Sequence, residues 1–276
     1  MKLLARLYTV LIFVFLYAPI VVLIVFSFNE SKSRAMFTGF TLKWYAELFR
    51  DDVILNALAN TAIVAVISAL LATLIGTAAA IGIHAMNNKL KNVMMTVNNI
   101  PMVNPEIVTG VSLSLLFVFG IQLLQKLGVD ASLNMVTLVI AHVTFNIPYV
   151  LLSVYPKLRQ MNPYSYEAAL DLGCTPFQAV YKVIMPEIMP GVITGCIMAF
   201  TLSLDDFVIS YFTSGPTSQT LPLVIYAMTK KRISPKINAL SALLFATVLI
   251  LLLIVNIRQM RDSSKNEPKK ERSFAQ

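Results

Sequence analysis

The sequence predicts an all-α protein that crosses a lipid bilayer six times. Of its 276 residues, 57% are hydrophobic and only 13% are charged, whereas a soluble domain carries about 25% charged residues. So few charges cannot cover the surface of a folded chain of this length, unless lipid replaces water as the solvent. The apolar segments are each near the roughly 20 residues that a helix needs to cross the hydrocarbon, and they lack the alternation of barrel strands.

No linker divides these segments, and we expect one domain over residues 1–276. The first segment follows basic residues as in a signal peptide. Its apolar run is too long for a signal core, however, and no small-residue cleavage site follows, so we interpret it as an uncleaved span. A stretch broken at Pro101 and Pro105 precedes the third segment. The predicted spans are residues 7–28, 57–83, 107–124, 133–155, 191–212 and 237–257.

The formal net charge is +8, and six of the 22 Lys and Arg residues lie in a tail, residues 258–276, directly after the sixth span. Such a tail is typical of a cytoplasmic anchor on anionic lipid, so both termini are predicted to be cytoplasmic. Nucleic-acid binding is not predicted, because no aromatic side chain is interleaved with the basic residues of the tail. Lys230, Lys231 and Arg232 then fall on the outer side, where nothing in the sequence assigns them a role.

Missing motifs argue against two kinds of chemistry. Cys174, Cys196, His84 and His142 lack the spacing of metal ligands, so no metal site is expected and all four are interpreted as packing or interface positions. No Lys follows any of the ten glycines, so the chain has no phosphate-binding loop for a nucleotide. Any ATP that drives this protein must therefore bind another subunit.

The segment between the fourth and fifth spans, residues 156–190, has the local signals of two short helices. Asn162 can cap the first helix, and Gly173 can end it in the left-handed conformation. Thr175 begins a capping box that starts the second helix, and Pro186 is expected to stop it. From these signals alone, the pair is either a projection that enters a groove of a second protein or a surface pair lying on lipid headgroups.

This segment resembles the EAA loop of binding-protein-dependent ABC importer permeases. It carries Glu167-Ala168-Ala169, then Gly173 four residues after the second alanine, and it ends on Pro186 in a shortened I-x-L-P pattern. In that family the loop is the coupling helix, which sits in a cleft of a cytoplasmic ATPase. The resemblance implies the type I importer permease (MetI-like) fold and assigns ATPase coupling to Glu167, Ala168, Ala169, Gly173 and Pro186.

Further segments resemble the PotC-type permeases of spermidine/putrescine importers. They are residues 29–45, 168–173, 200–206, 214–216 and 221–223. The resemblance implies a subunit of a bacterial inner (plasma) membrane importer that translocates polyamines by alternating access. It implies as partners a homologous PotB-type permease, two PotA-type ATPases that bind ATP and Mg, and an extracellular PotD-type polyamine-binding protein. Gly191 and Gly195 have GxxxG spacing, which predicts close helix packing, with the partner permease as the candidate neighbour.

Acidic side chains lie in or beside the apolar segments at Glu106, Asp205 and Asp206. An ionised acid near mid-membrane costs about 3 kcal/mol, and no Lys or Arg lies within the spans to pair with it. The Asp pair, roughly 100° apart on a helix, is expected to meet a cation in transit or a basic residue of another chain, or else to cap a span end. Glu106 is a similar contact or a helix-start acid. Trp44 offers a cation–π face, and Ser203 completes the predicted substrate path.

Three other functions stay open at this point. The same importer architecture fits another solute, such as a metal chelate, thiamine or a compatible solute. A proton-coupled secondary transporter would also use intramembrane acids, and its uptake would survive loss of an ATPase. A membrane enzyme is the third alternative, although no nucleophile–base pair supports it.

Overall fold

The computed structural model describes residues 2–31, 36–231 and 235–265, and these ranges are built from α-helices. The helices are α1 (Lys2–Ser27), α2 (Lys43–Leu48), α3 (Asp52–Ala85), α4 (Asn88–Val103), α5 (Glu106–Lys126), α6 (Met135–Gln160), α7 (Ser165–Asp171), α8 (Pro176–Ala179), α9 (Met185–Asp205), α10 (Val208–Thr213), α11 (Leu221–Lys231) and α12 (Pro235–Lys265). They form two compact units, residues 1–51 with 228–276 and residues 52–227. The expected single domain over 1–276 stays a prediction.

Five of the described helices are long and apolar enough to span a membrane. The predicted spans 7–28, 57–83, 107–124 and 133–155 fall on α1, α3, α5 and α6, with at most two residues outside a helix end. The sixth predicted span falls on α12, whose described apolar part is Pro235–Ile250. Of the basic tail, residues 258–265 continue this helix, while residues 266–276 and Arg232 lie outside the described residues.

The fifth span differs from its prediction, because residues 191–212 are not one helix. Helix α9 ends at Asp205, and Asp206 takes an extended backbone conformation (φ −62°, ψ 124°) before α10 begins. The carboxylate of Asp206 accepts hydrogen bonds from the backbone N–H groups of Ile209 and Ser210. A side chain that caps the next helix in this way competes with continuation of the first one.

The expected helix stop at Pro186 is wrong. The backbone passes from α8 through a π-helical turn, Val180–Ile184, directly into α9. Within that turn the N–H of Met185 bonds to the carbonyl of Val180, five residues back, and Pro186 occupies the first turn of α9. A proline is tolerated in a first turn because its missing N–H has no α-helical partner there. Because the π-helical turn links α8 directly to α9, the helix continues through Pro186.

Helices α3, α6 and α9 form the centre of the larger unit. Glycine residues allow the backbones of these helices to approach closely. A Cβ added at Gly191 would lie 2.8 Å from the Ser153 carbonyl oxygen, and one at Gly195 would lie 3.1 Å from the Val150 Cα. Both contacted residues belong to α6 of the same chain. The close packing predicted by GxxxG spacing is confirmed, but the neighbour in this chain is α6 rather than a partner subunit.

The smaller unit contains α1, α2 and α12. The segment after α1 folds back, and an antiparallel bridge joins Asn29 to Phe40. The side chain of Asn29 holds the turn by accepting the N–H of Thr38 at 2.9 Å and donating to the Met36 carbonyl at 2.9 Å. The same polar residue therefore organises the first predicted outer loop.

Candidate functional site

Two helix breaks, each with an acidic side chain, lie in the larger unit. The first separates α4 from α5, where Asn104 and Pro105 are extended and Glu106 begins α5. The second is the Asp205–Phe207 break between α9 and α10. Helices α5 and α10 pack together, since a Cβ added at Gly110 would lie 2.9 Å from the Phe212 ring. Glu106 therefore occupies a helix-start position. Because α5 packs on α10, the break before α5 adjoins the helix that follows Asp205 and Asp206.

Asp205 and Asp206 have different surroundings. Asp205 is the last residue of α9 and is exposed, and none of the ion pairs of the described residues involves it. The Asp206 side chain is only 5% exposed, and its Oδ2 accepts the Ser210 N–H at 2.8 Å. The expectation that both lie on one helix, 100° apart, is wrong because the helix ends between them.

Asp206 also has a basic neighbour that the sequence analysis missed. The Nε2 atom of His142, on α6, lies 3.5 Å from Asp206 Oδ2 and 3.1 Å from Ser210 Oγ. His142 is buried, with 1% of its surface exposed. The expectation that a partner for the pair must come from another chain or from a cation is therefore wrong for Asp206. The sequence predicts only a packing role for His142, because no local signal connects it to an acid 64 residues away.

Ser203 lies one turn before the break but faces the interior of the unit. Its Oγ accepts the Asn146 Nδ2–H at 2.7 Å and lies 3.0 Å from Ser68 Oγ. All three side chains are buried and come from α9, α6 and α3. This arrangement gives Ser203 a role in joining the three central helices, and its contact with a substrate stays a prediction.

Trp44 lies in the smaller unit and is only 5% exposed. Its indole N–H donates to the Asn29 carbonyl at 2.7 Å, and Lys43 Nζ lies 5.7 Å from the ring centroid. The cation that the ring contacts in the described structure is therefore Lys43 of the same chain. A substrate contact at Trp44 stays a prediction.

In the segment of α7 and α8, which we call the predicted coupling hairpin, the glycine turn and the start of the second helix are confirmed. The first helix begins at Ser165, and Asn162, whose side chain accepts the Tyr164 N–H at 3.0 Å, does not cap it. Gly173 has φ +89° after α7, and Thr175 forms the expected capping box with Gln178. Glu167 and Ala168 are exposed, whereas Ala169 is buried. The residues that sequence reasoning missed are large exposed apolar side chains on and beside the hairpin: Tyr164, Leu172, Phe177 and Tyr181.

Comparison with known proteins identifies the class. Residues 72–261 match the family described as binding-protein-dependent transport system inner membrane component. The chain is 39% identical over 237 residues to the putrescine transport system permease protein PotI of Escherichia coli K12, covering 86% of this chain and 83% of PotI. It is 38% identical over 243 residues to the spermidine/putrescine permease protein PotC of the same strain, covering 88% of each.

Solved structures confirm the fold. The chain superposes on a bacterial ABC transporter that imports the polysaccharide alginate with a TM-score of 0.75, over 94% of this chain and 95% of the other, at 18% identity. A second structure, of an alginate ABC transporter in complex with a substrate-loaded periplasmic protein, gives a TM-score of 0.74 over 94% of each chain. At this identity the likeness establishes the all-α importer-permease fold and nothing about the solute.

The chain is an all-α bundle with an exposed hairpin between its fourth and fifth apolar helices, and it shares its fold with these importer structures. The chain belongs to the binding-protein-dependent transport system inner membrane components, the permease subunits of ABC importers. In this family a separate ATPase hydrolyses the ATP, so the chain is not an enzyme. Membership also sets aside the proton-coupled secondary transporter, while another solute remains an alternative within the class.

Proposed function

We propose that this chain is the permease subunit of an importer that moves polyamines such as spermidine and putrescine into the cell. The observation that carries the proposal is Asp205, an exposed carboxylate at the end of an apolar helical segment. An ionised carboxylate costs up to about 3 kcal/mol on insertion scales, the value at the centre of a membrane helix, unless it faces water or a cation. A polyamine is a flexible organic cation and relieves that cost as it passes.

The relatives support the same solute class. PotI is a putrescine permease protein by name, and PotC is a spermidine/putrescine permease protein. The fold by itself does not decide the solute, because a structure with the same fold belongs to an importer of an acidic polysaccharide. The proposal of a cationic solute rests on the acids at the helix breaks together with these relatives.

The two aspartates take different parts in this proposal. Asp205 meets an ammonium group of the substrate, while Asp206 positions the break by capping α10 and contacting His142. Glu106, at the start of the neighbouring α5, provides a second carboxylate along the same path. A linear cation with separated amines would then pass from one carboxylate to another as the path opens to each side in turn.

The exposed hairpin supports the proposal that this chain works with separate ATPase subunits. Its large apolar side chains, including Leu172 and Phe177, are costly to leave in water and suit a partner groove. We propose that Glu167 to Pro186 docks on one of two PotA-type ATPases, which bind ATP and Mg, and that this chain itself binds no cofactor. The other proposed partners are a PotB-type permease and an extracellular PotD-type binding protein, with both termini of this chain in the cytoplasm.

The test is uptake of labelled spermidine, putrescine and a simple monoamine by cells that lack other polyamine importers. The chain would be expressed with its partner subunits, and the same cells without it would give the background. We expect uptake of both polyamines that depends on this chain and little uptake of the monoamine. Chain-dependent uptake of an unrelated solute with no polyamine uptake would overturn the proposal.

A variant pair sharpens the test. Asp205→Asn keeps the size of the side chain and removes its charge, and we expect it to lower polyamine uptake at least tenfold, since loss of a charged contact in a poorly solvated site costs about 1.5–3 kcal/mol. Asp130→Asn, in the exposed loop after α5, is the matched control because it removes the same charge elsewhere. Equal uptake by the two variants would argue against Asp205 as a substrate contact.

A further inference from the structure

Three aromatic side chains meet beside the helix break, and we call them the aromatic cluster: Phe207, Tyr211 and Tyr226. The Phe207 ring centroid lies 4.6 Å from that of Tyr226 and 5.7 Å from that of Tyr211. The two tyrosine rings are 6.4 Å apart and nearly perpendicular, at 85°. Residues from the break, α10 and α11 thus form one joined aromatic surface within the larger unit.

This surface is open, unlike the core of the unit. Tyr211 is 54% exposed and Tyr226 is 39% exposed, whereas Phe145 on α6 is 6% exposed. Phe207 is half-buried and contacts both tyrosine rings. Part of the ring surface therefore remains available to a ligand, which a packed core cluster would not allow.

The groups around the cluster favour a positive ligand. Asp205, two residues before Phe207, is exposed and ends α9. The end of a helix also presents carbonyl groups without intrahelical partners and carries the negative end of its dipole. Aromatic faces are negative as well, and they attract ammonium groups within about 6 Å. Asp206 adds no second free charge, because its carboxylate is held by His142 and the start of α10.

We propose that the aromatic cluster is a substrate subsite that takes the methylene chain and a further ammonium group of a linear polyamine whose first ammonium group meets Asp205. This inference rests on the proposed polyamine transport. Aromatic faces contact methylene groups and attract ammonium groups, whereas an inorganic cation has no methylene groups to pack on the rings. The cluster therefore selects organic cations with separated amines, and the longer spermidine uses it more than putrescine does.

The experiment compares Tyr211→Leu and Tyr226→Leu with Tyr211→Phe and Tyr226→Phe in the full importer complex. Phe119→Leu is the matched control, since Phe119 is an exposed aromatic residue on α5 of the same unit. Uptake of each polyamine is measured at saturating concentration, and subunit co-purification measures assembly. We expect the leucine variants to lower spermidine uptake roughly threefold to thirtyfold, the range that one cation–π contact supplies. Putrescine uptake falls less, and the phenylalanine variants and Phe119→Leu stay near wild type.

Several results would overturn the inference. Leucine variants that keep the wild-type ratio of spermidine to putrescine uptake, whether or not total uptake falls, would assign the rings a packing or lipid-facing role. Poor co-purification of the leucine variants would do the same. A wild-type importer that moves no polyamine would instead defeat the proposed function itself, so the two failures are distinguishable.

Discussion

Replacing Asp206 with alanine tests whether this residue is an anchor of the helix break. The change removes the acceptor of the Ser210 N–H at 2.8 Å and of the Ile209 N–H at 3.3 Å, and the carboxylate 3.5 Å from His142. Ser210 is fully buried, so its backbone donor would be left without a partner at a cost of about 1–3 kcal/mol. Loss of a helix cap alone costs about 1 kcal/mol. We therefore expect Asp206→Ala to destabilise the protein by about 2 kcal/mol.

The assay is thermal denaturation of the detergent-solubilised complex, followed by loss of monodisperse protein, with uptake measured in parallel. Asp206→Asn retains one carbonyl oxygen as an acceptor, so we expect it to lose less than half as much stability as Asp206→Ala. Asp205→Asn removes no described cap and should denature as wild type does while losing uptake. Wild-type stability of Asp206→Ala would refute the anchoring role, and reduced stability of Asp205→Asn would refute the division between the two acids.

Two further predictions rest on local geometry, and a third rests on the lack of a phosphate-binding loop in the sequence. Gly173→Val forces a β-branched residue to φ +89°, so uptake should fall while membrane insertion persists; Gly128→Val, at φ +83° in another loop, is the control and should transport better. Gly191→Ala places a Cβ 2.8 Å from the Ser153 carbonyl and should lower the denaturation temperature, whereas Gly120→Ala, with open space around it, should not. The purified chain alone should bind no ATP in equilibrium dialysis, and stoichiometric binding would contradict that expectation.

The parts of the structure that the sequence predicted well are those set by local rules. Span positions follow from hydrophobic length, which depends only on the thickness of the bilayer. The left-handed Gly173 and the capping box at Thr175 follow from the steric and hydrogen-bonding properties of single residues. The conformation at these positions does not depend on contacts with distant residues, so the sequence alone is sufficient to predict it.

The predictions that failed concern residues whose surroundings depend on contacts with distant parts of the chain. The sequence shows no Lys or Arg within the spans to pair with Asp206, whereas the structure places His142 beside it. The pairing depends on how α6 packs against α9 and α10, which no local pattern in the sequence specifies. Trp44 shows the same limit, since its buried position follows from a hydrogen bond to the backbone of Asn29, fifteen residues earlier.

Two departures from the predicted helix pattern fit together under the proposed function. The helix continues where a stop was expected, at Pro186, and it breaks where continuity was expected, at Asp206. The result is a 30-residue helical element, Pro176–Asp205, that joins the coupling hairpin to the exposed carboxylate. At about 1.5 Å per residue it is roughly 45 Å long, enough to cross the hydrocarbon. A displacement of the hairpin by an ATPase would therefore reach Asp205 through one packed helix. The break beyond Asp205 would allow α10 to remain on α5 while that helix moves.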